Sequence, residues 1–501
     1  MKSKSLPLIA LSMTMALGAC SESWLDTKPS TAVPSSDAIQ SLSDAQTALN
    51  GIYRLASAHS YYGDNYLYYA DCRGEDVQAR LDKGAGRRVS PYYFFNVTAT
   101  DAFNITRVWN QPYIVIHQCN SLLEKLAAGA VADADATELA RIKSEALVMR
   151  ALAHFDLTRL FGRPYTLDQG ASLGVPIETV TTLPDHTPGR NTVAECYDRV
   201  LKDLTDALPG LSRSRHDGYM NYWSAQALLA RVYLYMDKNT EALAAAKEVI
   251  EENGGLYRLY THDEYASVWG KDFQAESLFE FYFTLSEPAG GSGGEGVPMV
   301  YADNVKDWNN LVLTEAFINL MNEDPADVRR VFMHLPEKPE TDNLPAGAEG
   351  QPKYLIKYPG KSGSVLDAVS TVSPQDNNLC ILRLSEVYLN AAEAAFKLGG
   401  DHKAEALDYL NAIVSRANPA KSVAEADLSL DRILLERRKE LVGEGHAFFD
   451  YMRNGKTVVR RGGWHLPMSE DVREITPQDK RIVLPIPQDE IDANPNLEQN
   501  Y

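Results

Sequence analysis

Cysteine is scarce, at five in 501 residues, and no two of them form a CxxC pair. That excludes a zinc ribbon or a thioredoxin-like dithiol as far as spacing can. Positive charge is also short: 49 Lys and Arg stand against 68 Asp and Glu, for a formal net charge of −19. An evenly acidic chain is a poor counter-ion for phosphate, so nucleic acid is not expected as a partner. Beyond the first twenty residues no apolar run approaches the ~20 residues of a membrane-spanning helix, which excludes a polytopic membrane protein. Catalytic signatures are thin: neither an HExxH zinc motif nor a Walker loop occurs. Gly291-Ser292-Gly293-Gly294-Glu295-Gly296 fits the letters of GxGxxG. Val297-Pro298 follows where a dinucleotide site needs a helix N-terminus, so the run reads as a loop. No metal, no cofactor and no catalysis are expected. Phenylalanine, at 14, is outnumbered by 26 tyrosines. Tyrosine joins an apolar ring to a polar tip and suits contact surfaces that are neither greasy nor wholly polar.

What is present begins at the N-terminus. Lys2 and Lys4 precede an apolar stretch from Leu6 to Leu17, too short to span a bilayer and shaped like a secretory signal. It ends in Leu17-Gly18-Ala19-Cys20, which resembles a bacterial lipobox. Residues 1–19 therefore read as a lipoprotein signal peptide, Cys20 as the lipidation site and 20–34 as a tether. More than one acyl chain on Cys20 would give stable anchoring. The remaining four cysteines read as buried free thiols, with a disulfide left open.

Over 35–501 helical periodicity dominates. Apolar residues recur at i, i+3, i+4 and i+7 in Ser43–Ala56, around Trp109, Tyr113, Ile116, Asn120 and Leu123, and in Leu139–Phe161, which stops at Gly162 before Pro164. Further helices are expected over Thr192–Leu208, Tyr222–Met236, Thr240–Glu252, Leu379–Leu398, Lys403–Ala417 and Ser429–Arg453. They pair across short turns. Leu229, Ala230, Tyr233, Ala242, Ala246 and Val249 fall where a tetratricopeptide unit puts its small and aromatic packing positions, and the pair around Gly399-Gly400-Asp401 repeats the scheme. The expected fold is mainly α: one body with a tetratricopeptide-like helical-pair scaffold. Long irregular insertions at 57–104, 162–190 and 254–378 would form a ligand face, since function concentrates in loops held by rigid elements. His154 and His446 read as structural histidines, and Glu436–Glu440 as a solvated, ion-paired helix face.

The C-terminal third carries the most specific pattern. Glu436-Arg437-Arg438-Lys439-Glu440-Leu441 runs into Glu444-Gly445-His446, Phe449-Asp450 and Arg453. The chain closes on Leu484-Pro485-Ile486-Pro487 and Asn494-Pro495-Asn496-Leu497. With Trp109…Tyr113…Ile116…Asn120, Arg150-Ala151 to Tyr165 and Cys20…Trp24-Leu25-Asp26, these runs resemble the SusD/RagB family of outer-membrane nutrient-binding lipoproteins of Bacteroidetes. The resemblance spans the whole mature chain. It implies a lipid-anchored, surface-exposed outer-membrane protein that captures oligosaccharides for a TonB-dependent SusC-like transporter. It implies a helical side facing the transporter and inserted loops facing the ligand. A peptide-capturing member of the family, and a tetratricopeptide-type envelope adaptor, stay open as alternatives.

Sugars present apolar C–H faces ringed by hydroxyls, so a site for them needs aromatic rings beside amides or charged groups. By analogy with family members whose ligand residues lie in the first insertion, Arg73, Tyr92, Tyr93 and Asn96 are the preferred set. Tyr301 and Trp308, beyond the glycine-rich loop, form a second aromatic cluster.

Overall fold

The computed structural model describes residues 39–80, 88–131, 135–183, 185–291, 296–301, 310–334, 354–366, 374–462, 465 and 468–501. Cys20, Trp24-Leu25-Asp26 and Trp308 lie outside them.

The first helix, α1 (Leu42–Ala56), starts at Ser41. Its hydroxyl accepts the Asp44 N–H, while the Asp44 carboxylate accepts the Ser41 N–H, so two amides of the first turn are satisfied reciprocally. Its stripe of Ala45, Leu49, Ile52 and Ala56 is buried, as the periodicity requires. After α2 (Asn65–Cys72) and β1 (Val77–Ala79) come the long helices α3 (Arg107–Ala127) and α4 (Ala136–Phe161). Every residue of α4 from Ser144 to Phe161 is buried, which makes it the axis of the core. It ends where expected, with Gly162 as its cap. Next are α5 (Val193–Ala207), α6 (Tyr222–Tyr235) and α7 (Asn239–Glu252). Then follow β2 (Ser277–Phe281), α8 (Val297–Tyr301), β3 (Leu311–Leu313) and α9 (Glu315–Asn322). The chain continues through β4 (Met333–His334), β5 (Tyr354–Leu355), β6 (Leu379–Arg383), α10 (Leu384–Leu398) and α11 (His402–Ala417). It finishes with α12 (Leu430–Leu441), α13 (Ala447–Arg453), β7 (Val458–Val459), β8 (Glu474–Ile475) and α14 (Gln488–Ala493).

Consecutive helices pair: α3 with α4, α4 with α5, α6 with α7 and α10 with α11, and α7 packs on α10 to join the last two pairs. Buried alanines at the facing positions, among them Ala242, Ala246, Ala391 and Ala395, let the backbones approach. The α10–α11 turn uses Gly399 at φ +67° and Gly400 at φ +54°, a left-handed conformation that glycine adopts without steric cost. The tetratricopeptide-like scaffold of helical pairs is thus present.

Three details differ from the sequence reading. Leu379–Arg383 is a strand, not the first turn of a helix, because its backbone pairs antiparallel with β2. The expected helix Ser429–Arg453 breaks at Val442–His446, where Gly443 and Gly445 take φ of +78° and +77°. Glu436, Arg437 and Glu440 are buried, so that helix face is an internal ion-pair network and not a solvated one. Cys72, Cys119 and Cys196 are buried free thiols, and Cys380, also free, is partly exposed. No helix among the described residues is long and apolar enough to cross a membrane.

Candidate functional site

The first and third insertions meet. β1 pairs antiparallel with β3, Val77 opposite Leu313 and Ala79 opposite Leu311. The Arg80 N–H continues the ladder to the Asn310 carbonyl at 2.8 Å. The Val297 N–H reaches the Gly63 carbonyl at 3.0 Å, and the Thr314 N–H reaches that of Asp76 at 2.9 Å. β5 joins them: Tyr354 and Ile356 pack on Val312, and an Arg80 Nη1–H donates to the Tyr354 hydroxyl at 3.1 Å. Arg80, Asn310 and Tyr354, far apart in sequence, therefore converge on one face. Residue 81 follows the first of them, residue 309 precedes the second and residue 353 precedes the third.

The floor of this face is a set of polar clamps. The Asp71 carboxylate, on α2, accepts the Tyr301 hydroxyl from α8 at 2.9 Å and the Gly445 N–H at 3.1 Å. Burial pushes the Asp71 carboxyl up to about 7, against the pull of those two donors. Gly445 has little room for a side chain, since a Cβ there would sit 2.8 Å from the Leu67 carbonyl oxygen. Beneath lies the ion network. Glu440 takes Arg383 at 2.7 Å, Arg416 at 2.6 Å and Arg329 at 3.3 Å, and Arg383 also reaches Glu276 at 2.9 Å and Glu444 at 2.7 Å. Lys357, beyond β5, donates to the Glu440 carbonyl at 2.9 Å and bonds the Glu444 carboxylate. Burial alone would raise the Glu440 carboxyl. Arg416, Arg383 and Arg329 outweigh it and hold the group well below its ordinary value.

The structure encloses four of the six ligand residues expected from sequence. The Arg73 guanidinium lies 4.0 Å from the Phe95 ring centroid and 4.8 Å from those of Tyr69 and Phe448, and it bonds the Arg481 carbonyl. The Tyr92 hydroxyl donates to the Asn104 carbonyl, and that of Tyr93 bonds His465 Nδ1. Tyr301 is held by Asp71. All four are buried, which makes them, in this conformation, packing and positioning groups behind the face. Each already has a protein partner for a polar group, although the Arg73 Nε is buried without one. Asn96 is exposed. Other tyrosines of the first insertion also face inward: Tyr61, Tyr62 and Tyr66 direct their hydroxyls at the Asp156 carboxylate, 2.5–2.6 Å away, beside Arg159. His154 and His446 are buried, as a structural role demands. Sequence reasoning missed Asp71 as a clamp and Lys357 as a buried cation. The glycines of Val442-Gly443-Glu444-Gly445 were the available signal of a turn at the end of α12.

A second concavity lies between α3, the second insertion and the C-terminal segment. Trp109, Tyr113, Ile114 and His117 of α3 line a groove of ≈ 580 Å³ opposite Glu178, His186 and Glu490. Among the described residues no cluster of three or more His, Cys, Asp or Glu could hold a metal.

Comparison with known proteins matches this architecture. Residues 354–501 fit a model of the SusD family, and residues 23–234 fit one described as starch-binding associating with outer membrane. A curated relative, SusD-like protein P38 of Formosa agariphila, is 25% identical over 100% of this chain and 99% of its own. A solved SusD superfamily protein of Bacteroides thetaiotaomicron is 57% identical, covers 92% of this chain and 100% of its own, and superposes with a TM-score of 0.87. The surface glycan-binding protein A of the same species, at 21% identity, TM-score 0.71 and coverages of 92% and 99%, shares the fold. With helical pairs and paired insertions in place, the chain belongs to the SusD/RagB family of Bacteroidetes.

Proposed function

We propose that this chain is a surface lipoprotein, anchored through Cys20, that captures oligosaccharides without catalysis and passes them to a TonB-dependent, SusC-like transporter of the outer membrane. The observation that carries the reading is the convergence of Arg80, Asn310 and Tyr354. It brings the first and third predicted insertions to one face over a rigid floor, the arrangement by which a scaffold holds a binding surface. Family membership supports it, as do the family model's description and the glycan-binding neighbour. Ligand contacts are assigned to Asn96 and to Trp308, two residues before Asn310 in sequence. Arg73, Tyr92, Tyr93 and Tyr301, all buried, are assigned a positioning role within the protein.

The test is a thermal-shift and calorimetric screen of residues 21–501 against plant, fungal and host oligosaccharides, with a peptide digest alongside. Binding of one glycan class is expected, weakened about fivefold by Trp308→Ala, in line with the ~1 kcal/mol worth of an aromatic contact beyond its area. An unchanged affinity in a normally melting variant removes Trp308 from the site. A response to peptides alone moves the protein to the peptide-capturing alternative.

A further inference from the structure

Although the chain as a whole is strongly acidic, positive charge gathers around the first insertion without carboxylates to balance it. Arg73 and Arg460 are buried behind it. Arg73 is held by the Arg481 carbonyl and by aromatic rings, and Arg460 by the carbonyls of Cys72, Gly74, Tyr93 and Val472 at 2.5–3.3 Å. Neither forms an ion pair among the described residues. The acids around them are committed elsewhere, Glu75 to Arg438 and the Val459 N–H, Asp479 to Arg481. Burial pulls the Arg460 guanidinium down to about 10, and Arg73 adds to the pull, so the group stays charged at neutral pH. Both guanidiniums pack on the Phe95 ring, 4.0 and 5.0 Å from its centroid. Phe95 itself holds a left-handed φ of +52°, strained for a bulky residue, and strain of this kind collects at ligand clamps. The next residue is the exposed Asn96. Charge in a poorly polarisable interior acts over a longer range than charge in water, so an anion beside Asn96 is favoured.

The rim repeats the sign. A π-helical turn, Ala102–Thr106, leads into α3 and sets Phe103 and Arg107 four residues apart, and π-helical turns recur at functional sites. The Arg107 guanidinium is exposed, lies 4.5 Å from the Phe103 ring centroid, and forms no ion pair or hydrogen bond among the described residues. Arg88 lies 5.0 Å from the same centroid and pairs with the buried Asp64 carboxylate at 3.4 Å. The His59 ring is 5.9 Å away. Burial, with Arg88 and Arg107 beside it, lowers that imidazole to about 4 and keeps it neutral at pH 7. Asp101 spends its carboxylate on the N–H groups of Phe103 and Asn104. Rim and insertion face are joined. The Tyr92 hydroxyl donates to the Asn104 carbonyl, and the Asn96 N–H reaches the Pro91 carbonyl at 3.1 Å. Asn65 holds the Phe103 carbonyl at 2.8 Å, two residues from the Gly63 carbonyl that takes Val297 of the third insertion. A guanidinium carried on a ring keeps the planar fork of donors that matches a carboxylate or a sulfate.

We propose that the oligosaccharide captured at the insertion face is an acidic one, and that Arg107 receives its carboxylate or sulfate group beside Phe103. The proposal rests on the capture reading above and names its substrate class.

The test titrates the full lipoprotein in mild detergent, by calorimetry, with three sets of probes. Galacturonate and hyaluronan fragments carry carboxylates, carrageenan fragments carry sulfates, and malto- and xylo-oligosaccharides are neutral. An acidic probe is expected to bind, more weakly at about 0.3 M NaCl than at low salt. Arg107→Gln is expected to weaken it about tenfold. Arg107→Lys costs less, because it keeps the charge and loses only the fork. Lys202→Gln, which removes the same charge from an exposed position on α5, leaves affinity unchanged. All three variants melt as the wild type does. Binding of uronate fragments alone names the carboxylate as the recognised group, and binding of carrageenan alone names the sulfate; either supports the proposal. Neutral probes bound as tightly as acidic ones, or an acidic probe whose affinity survives Arg107→Gln, overturns the proposal and leaves the capture reading intact. If no oligosaccharide binds, the capture reading fails and the substrate class falls with it.

Discussion

At the scale of single residues, the decisive feature is how single buried polar groups tie separate elements together behind the insertion face. Asp71 is the clearest case, because one carboxylate holds α2, α8 and the Glu444-Gly445 turn together. Its carboxyl is raised to about 7 by burial, above its ordinary value of 3.8. The folded state therefore keeps a proton that the unfolded chain has lost between about pH 4 and pH 7. Stability from this group is present at the acid end of that window and falls as pH rises through about 7, at up to ~1.4 kcal/mol per pH unit. Asp71→Asn, which cannot titrate, is expected to lose that slope. Comparing the melting temperatures of variant and wild type at pH 5 and pH 7.5 measures it, and identical pH dependence would refute the assignment. The tyrosines teach a related lesson. An abundance of Tyr over Phe was plain in the sequence, but whether a ring faces ligand or core depends on where its hydroxyl finds a partner. For Tyr61, Tyr62 and Tyr66 the partner is Asp156, far along the chain, and no local pattern announces it.

At the scale of elements, what the sequence made legible follows from period. Ala242 and Ala246 or Ala391 and Ala395 recur one helical turn apart, and glycines end α4 and α10, so helices and their pairing could be read directly. What local pattern could not reveal was long-range pairing: Leu379–Arg383 looks like helix until β2 is placed beside it. Charge at helical spacing in α12 suggested solvent, yet Glu436 and Glu440 turn inward to Arg329, Arg383 and Arg416. Such a network stabilises only while complete. Arg383→Met leaves Glu276, Glu440 and Glu444 short of a cation in the interior, and a loss of ~3–5 kcal/mol in denaturant unfolding is expected. A loss below about 1 kcal/mol would mean that water reaches the site and screens it.

At the scale of the whole molecule, helices and insertions are one mechanical unit, because Arg383 begins the turn into α10 while its guanidinium holds Glu444, and Lys357 ties β5 to the end of α12. Scaffold and insertions should therefore unfold in one calorimetric transition, with the β1–β3 amides exchanging as slowly as those of α4. An early, separate transition would show the insertions to be independently held. The meeting of Arg80, Asn310 and Tyr354 has a practical corollary. Stretches that begin and end at neighbouring anchor points can be exchanged together as a cassette between related scaffolds, leaving the helical pairs untouched. Grafting such a set from a relative of known preference is then a route to re-targeting the protein, with fold stability and recognition adjusted separately.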